Sequence, residues 1–194
     1  MGNFSDVFYT PEGLYAFSRD FFNTALHAIH EFGKIGEKSQ GKSYYLTPIG
    51  SVAATNISFS LELAFKGLYL FTKNARKQGH KLLKLFTGLP DAVKNDIQMH
   101  PLPDGLRNFP VVVFGDNPIF DDKIKFVDGS MEEIIENLRI HDFSFVELRY
   151  LFETEGAKPR YYNFAFMTCM VKNTLVTLND YISHRDAEFL TSSQ

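Results

Sequence analysis

The sequence predicts an all-α protein: a helical bundle of about five to seven helices, with a small irregular or β insertion near 101–129. Three observations carry this. Two long stretches, 47–75 and 160–184, hold apolar residues around most of a helical circumference. Thr-Pro occurs twice, at 10–11 and 47–48, each time just before a helix-period run; a threonine cap with proline at the first helical position is a start signal. Alternating strands of a parallel sheet are not seen, so an α/β architecture is excluded.

The 194 residues fit one domain, 1–194, and 44% of them are hydrophobic against 22% charged, an ordinary globular balance. Twenty Phe and nine Tyr with no Trp mean that phenylalanine fills much of the core. A net charge of −3 excludes a generally basic nucleic-acid coat. The lone Cys169 permits no internal disulfide and no cysteine-rich zinc site, and its apolar neighbours imply a buried thiol. No run of 18 uncharged apolar residues exists, and the first residues have no secretory pattern. The expectation is a cytoplasmic protein with no membrane association.

Five core segments follow in order. Residues 11–32 place Leu14, Phe17, Phe21, Phe22, Ala25, Leu26, Ile29 and Phe32 along one stripe. A polar link, 33–43, leads to the helix at 47–75. Within that greasy rod Ser58, Glu62, Lys66, Tyr69 and Lys73 recur at steps of four, four, three and four, which draws one polar line down it. Gly79 breaks the helix, and 80–99 then reads as two short helices divided by Leu89-Pro90-Asp91. The insertion 101–129 holds four prolines and three glycines, with a strand pair expected at 111–114 and 124–127. Ser130 with Glu133 forms a capping-box pattern opening the helical segment 130–152. The last helix is expected over 160–184, with a fraying tail after Arg185.

The chemistry concentrates between Leu63 and Pro90, a span with no acidic residue that contains Lys66, Lys73, Arg76, Lys77, His80, Lys81 and Lys84. Such a local imbalance in an acidic chain is a candidate electropositive patch. His80 needs a partner to do chemistry. Glu62 and Lys66 stand on the polar line before it, and Arg76 lies four residues upstream. A histidine that moves a proton beside an arginine that steadies phosphate charge suits phosphodiester cleavage. Arg149 is a second cation for a buried Glu62, and Glu153 is one turn further on. The candidate catalytic pair is therefore His80 with Arg76, and the candidate binding residues are Glu62, Lys66, Lys73, Lys77, Arg149 and Glu153. Gly36–Ser43 satisfies the P-loop pattern, with Lys42 and Ser43 in the phosphate and magnesium positions. A helix precedes it where a strand is required, so a polar linker is the expectation. The six histidines are scattered, and neither a metal nor a cofactor is expected.

"SFSLELAFKGLYL" (58–70) followed by "GHKLLKLF" (79–86), with "RYLFE" at 149–153 before the last helix, resembles the HEPN superfamily of helical-bundle proteins. The resemblance implies a bundle of four or more helices, often dimeric. It implies RNA, a nucleotide or a partner protein as ligand, and in some members a ribonuclease site built between two subunits. The catalytic branch has Arg followed by His after four to six residues; here Arg76 and His80 are separated by three, and Arg139 and His141 by one. The expected function is a HEPN-like binding or interaction module acting as a homodimer. A metal-independent ribonuclease and a structural adaptor contacting partners through 101–129 are the alternatives.

Overall fold

The structure is a computed structural model that describes residues 8–38, 48–100, 111–114, 129–149 and 160–192. It is an all-α bundle with seven helices among the described residues. In chain order they are α1 (Pro11–Lys38), α2 (Pro48–Lys73), α3 (Leu82–Thr87), α4 (Asp91–Met99), α5 (Met131–Ile140), α6 (Ser144–Arg149) and α7 (Phe164–Ser192). Two short strands, β1 (Val111–Phe114) and β2 (Arg160–Asn163), pair antiparallel with Val111 opposite Asn163 and Phe114 opposite Arg160.

Helix α2 is the axle. It packs along α1 over much of its length, and against α7, α6 and α3 on its other sides. That is the arrangement its nearly all-round apolar surface requires. Ala53, Ala54, Ile57, Leu61, Ala64, Phe65 and Leu68 are wholly buried on it. Phe65 meets Phe86 of α3 at 5.7 Å between ring centroids, and Phe166, Met167, Met170, Val171 and Leu178 of α7 extend the same core. Each large apolar side chain buried there contributes roughly 1.5–3 kcal/mol before entropy is counted. Gly67 lets α7 come close: a Cβ there would stand 2.7 Å from a methyl of Leu178. Between α1 and α2, Ser18 Oγ donates to the carbonyl of Ser60 at 2.8 Å, and Ser60 Oγ donates back to the carbonyl of Ser18 at 2.7 Å.

The helix starts follow local chemistry. Thr10 Oγ1 accepts the amide of Gly13, so the expected cap of α1 is present. Ser130 Oγ accepts the amide of Glu133, while Glu133 reaches back to the amide of Gly129, one residue earlier than in the standard capping box. The final helix starts later than the apolar pattern suggests. Asn163 Oδ1 accepts the amide of Phe166, which caps α7 and leaves 160–163 free to pair as a strand. The strand 111–114 is present and pairs with 160–163, a partner the sequence does not signal; the partner expected from sequence is 124–127. Residues 124–127 lie outside the described residues. Helix α1 runs on to Lys38 through part of the expected linker, and α7 continues to Ser192 past the expected end at 184.

Two polar side chains fix β2 to the bundle. Tyr162 is fully buried, donating its hydroxyl to the carbonyl of Ala54 at 2.9 Å and lying 3.0 Å from Ser58 Oγ; burial pushes its phenol up. His141, also fully buried, has Nδ1 2.7 Å from the carbonyl of Asn137, while Nε2 accepts the amide of Asn163 at 2.9 Å. The neutral ring with its proton on Nδ1 satisfies both. Burial lowers its pKa from 6.5 to about 4, against the opposing pull of the Asn137 carbonyl.

A histidine depressed in the folded state adds stability above the unfolded pKa and loses it as the pH falls through that window. Urea melts should therefore show stability declining from about pH 6.5 toward pH 4 by about 2–3 kcal/mol from this group, at about 1.4 kcal/mol per unit. His141→Gln offers one donor and one acceptor without titrating there. Its melts should show a pH slope shallower by that amount.

Candidate functional site

Helix α2 stops at Lys73, where Asn74 takes a left-handed φ of 46° and turns the chain back. The chain then runs without regular structure to residue 81. Gly79 adopts a φ of 97°, with nothing within 4 Å of where a Cβ would sit, so the constraint is backbone conformation rather than space. This turn returns His80 to the flank of α2.

There it meets Glu62. The carboxylate is 1% exposed, and Lys66 Nζ lies 2.6 Å from its Oε1, the i,i+4 pairing read from the sequence. His80 Nδ1 lies 3.0 Å from both Oε1 and Oε2. A carboxylate between an ammonium and an imidazole accepts from both, which puts the histidine proton on Nδ1 and leaves Nε2 as the open nitrogen. Lys66 is 12% exposed and His80 54% exposed, so the triad runs from the core to the surface. Burying Glu62 without these partners would be costly.

Neighbouring elements hold the His80 segment. Asp142 Oδ1, in the turn between α5 and α6, accepts the amide of Leu83 at 2.8 Å and so serves one of the unpaired donors at the start of α3. Lys81 Nζ sits 4.7 Å over the Phe143 ring. The His80 ring is 5.8 Å from Phe145, which stacks on Phe59 at 4.7 Å, and Phe59 meets Phe21 edge-on. The imidazole thus rests against an aromatic row spanning α6, α2 and α1.

The remaining cations gather on aromatic faces just before it. Lys73 and Lys77 stand 4.8 and 4.9 Å from the centre of the Tyr69 ring. Burial raises the Tyr69 phenol, but the two ammonium groups outweigh it, and its pKa is lowered. Arg76 lies 4.7 Å over Tyr9, whose hydroxyl donates to the carbonyl of Lys77 at 3.5 Å. Residues 73–81 therefore present four cations and one imidazole on a track of tyrosines and phenylalanines.

Of the residues nominated from sequence, Glu62, Lys66 and His80 are in direct contact, and Lys73, Lys77 and Arg76 line the segment leading to His80. Arg149 ends α6, which packs on α2, but its side chain lies outside the described residues, as do Glu153, Lys42 and Ser43. Sequence reasoning missed Asp142, Phe143 and Phe145 as supports. Asp142 is 59 residues from Leu83, and no local pattern signals such a cap. Cys169 is buried and its thiol is pushed up to about 11 by burial, so it is a poor nucleophile. Among the described residues, no three His, Cys, Asp or Glu side chains come together as a metal-ligand set.

No protein-family model matches the chain. A search of curated proteins gives no match either. The crystal structure of TT1696 from Thermus thermophilus aligns over 84% of this chain and 97% of that one, at 18% identity and a TM-score of 0.38. A likeness that loose carries no argument about this site.

Burial ranks Glu62 and His80, and backbone conformation places Gly79 between them. Glu62→Ala strands Lys66 beside the core and should cost about 3 kcal/mol. His80→Ala should cost less than about 1 kcal/mol, because the ring is half in water. Gly79→Ala should cost about 1–2 kcal/mol through its positive φ. Urea denaturation of the three variants checks this order.

Proposed function

We propose that the chain is a HEPN-like RNA-binding module, a cytoplasmic homodimer that meets single-stranded RNA along residues 73–81. One observation carries the reading. A surface imidazole is held by a buried carboxylate at the end of a segment whose cations lie on aromatic rings and which has no acidic residue of its own. Lysines and Arg76 supply phosphate contacts, His80 Nε2 supplies a directed polar contact, and the aromatic faces suit stacked bases. The acidic net charge confines RNA to this face.

A second reading is supported by the Glu62–His80 pair. An imidazole oriented through Nδ1 by a carboxylate is the arrangement in which Nε2 takes a proton. In a metal-independent ribonuclease it would accept the 2′-hydroxyl proton while Arg76 steadies the phosphate.

Fluorescence anisotropy with a single-stranded RNA 20-mer should show binding that weakens steeply with salt. Replacing both Lys73 and Lys77 by Ala should lower the slope of log affinity against log salt by about 1.4. An unchanged slope overturns the module. Cleavage of the same RNA in EDTA, lost in His80→Ala with the fold intact, assigns the ribonuclease; intact RNA after prolonged incubation removes it.

A further inference from the structure

A cleft of about 760 Å³ opens where the start of α1, the end of α2 and the C-terminal half of α7 meet, within the usual range for small-ligand pockets. Its walls are largely aromatic: Tyr9, Phe71 and Tyr181 line it, with the Phe71 and Tyr181 ring centres 5.5 Å apart. Among the described lining residues Arg185 is the only Lys, Arg, Asp or Glu. Its guanidinium is already met by Glu12 and Asp186 and lies over the Phe71 ring. The interior is therefore close to neutral, which favours an uncharged planar ring over an anion or a cation.

Two further features point to the identity of that ring. Asn74 lines the cleft with its backbone at a φ of 46°, and its side-chain amide makes no hydrogen bond among the described residues. An unused carboxamide offers a donor and an acceptor side by side, the pairing that adenine completes. The second feature is the neighbourhood. The Tyr9 ring that lines the cleft also carries Arg76 at 4.7 Å, and its hydroxyl donates to the carbonyl of Lys77 at 3.5 Å. Cations of residues 73–81 thus stand beside a neutral aromatic cleft.

We propose that this cleft receives one adenine base of the RNA strand, unstacked from its neighbours, with its hydrogen-bonding edge on the Asn74 amide, its ring against Tyr9 and Phe71 and its phosphate on Arg76. This rests on the RNA reading of residues 73–81 and adds a base preference that phosphate contacts alone do not give.

Fluorescence anisotropy with two labelled RNA 12-mers tests this: one all uridine, the other the same strand with a single central adenosine. The expected result is at least about fivefold tighter binding of the adenosine strand. Asn74→Gly, which tolerates the left-handed backbone and removes only the amide, should abolish that preference. Phe71→Leu should weaken the adenosine strand several-fold. Neither substitution should change the salt slope, since neither residue carries charge, and circular dichroism of both variants should match the parent. Salt-sensitive binding of both strands with equal affinity, or a preference that survives Asn74→Gly, overturns the cleft proposal and leaves the RNA reading standing. Absence of salt-sensitive binding to either strand overturns the RNA reading and this proposal with it.

Discussion

One carboxylate in a dry place organises the region around it. Glu62 is the only Asp or Glu side chain buried among the described residues, and it sits on the helix against which α1, α3, α6 and α7 pack. Its two oxygens must be served. Lys66 serves one from the same helix, and His80 spans both from a segment that the chain has to fold back into reach. The left-handed Asn74, the positive φ of Gly79 and the Asp142 bond to the start of α3 all act toward that return. The electrostatic demand of one residue thus becomes a conformational requirement on the segment from Asn74 to Leu83.

The same demand gives the exposed end of the triad a fixed orientation. An imidazole free in solution samples both tautomers and many orientations. Here Nδ1 is engaged and the ring leans on Phe145, so Nε2 has a defined direction with little entropy left to lose on contact with a ligand. The cations of residues 73–81 add attraction without rigid geometry. In the proposed RNA-binding reading, the ordered imidazole would direct the contact and the basic flank would hold the phosphates.

What could be read in advance follows from the range of each interaction. Helical spacing showed α1, α2 and α7, since burial of a stripe is a periodic, local signal. The polar line Ser58–Glu62–Lys66–Tyr69–Lys73 was legible for the same reason, and its members do different things. Ser58 meets Tyr162, Glu62 and Lys66 pair, and Tyr69 carries Lys73. The Asn163 cap was missed because "YYNFAF" is as apolar before the asparagine as after it. Asp142, Phe143 and Phe145 were missed because they reach His80 and α3 through tertiary contacts that no spacing rule encodes. Arg149 is nominated by the sequence as a second cation for Glu62; its side chain lies outside the described residues, and among those described Lys66, one turn away on the same helix, reaches the carboxylate.

The reciprocal serines between α1 and α2 have a topological meaning. Each hydroxyl is matched to one carbonyl across the contact, so the two rods can mesh at a single notch. Sliding one rod along the other by a turn would strand both hydroxyls in hydrocarbon, at about 1–3 kcal/mol apiece. Greasy surfaces alone tolerate many alignments; Ser18 and Ser60 select one, and so set the height at which everything hung on α2 meets its counterpart.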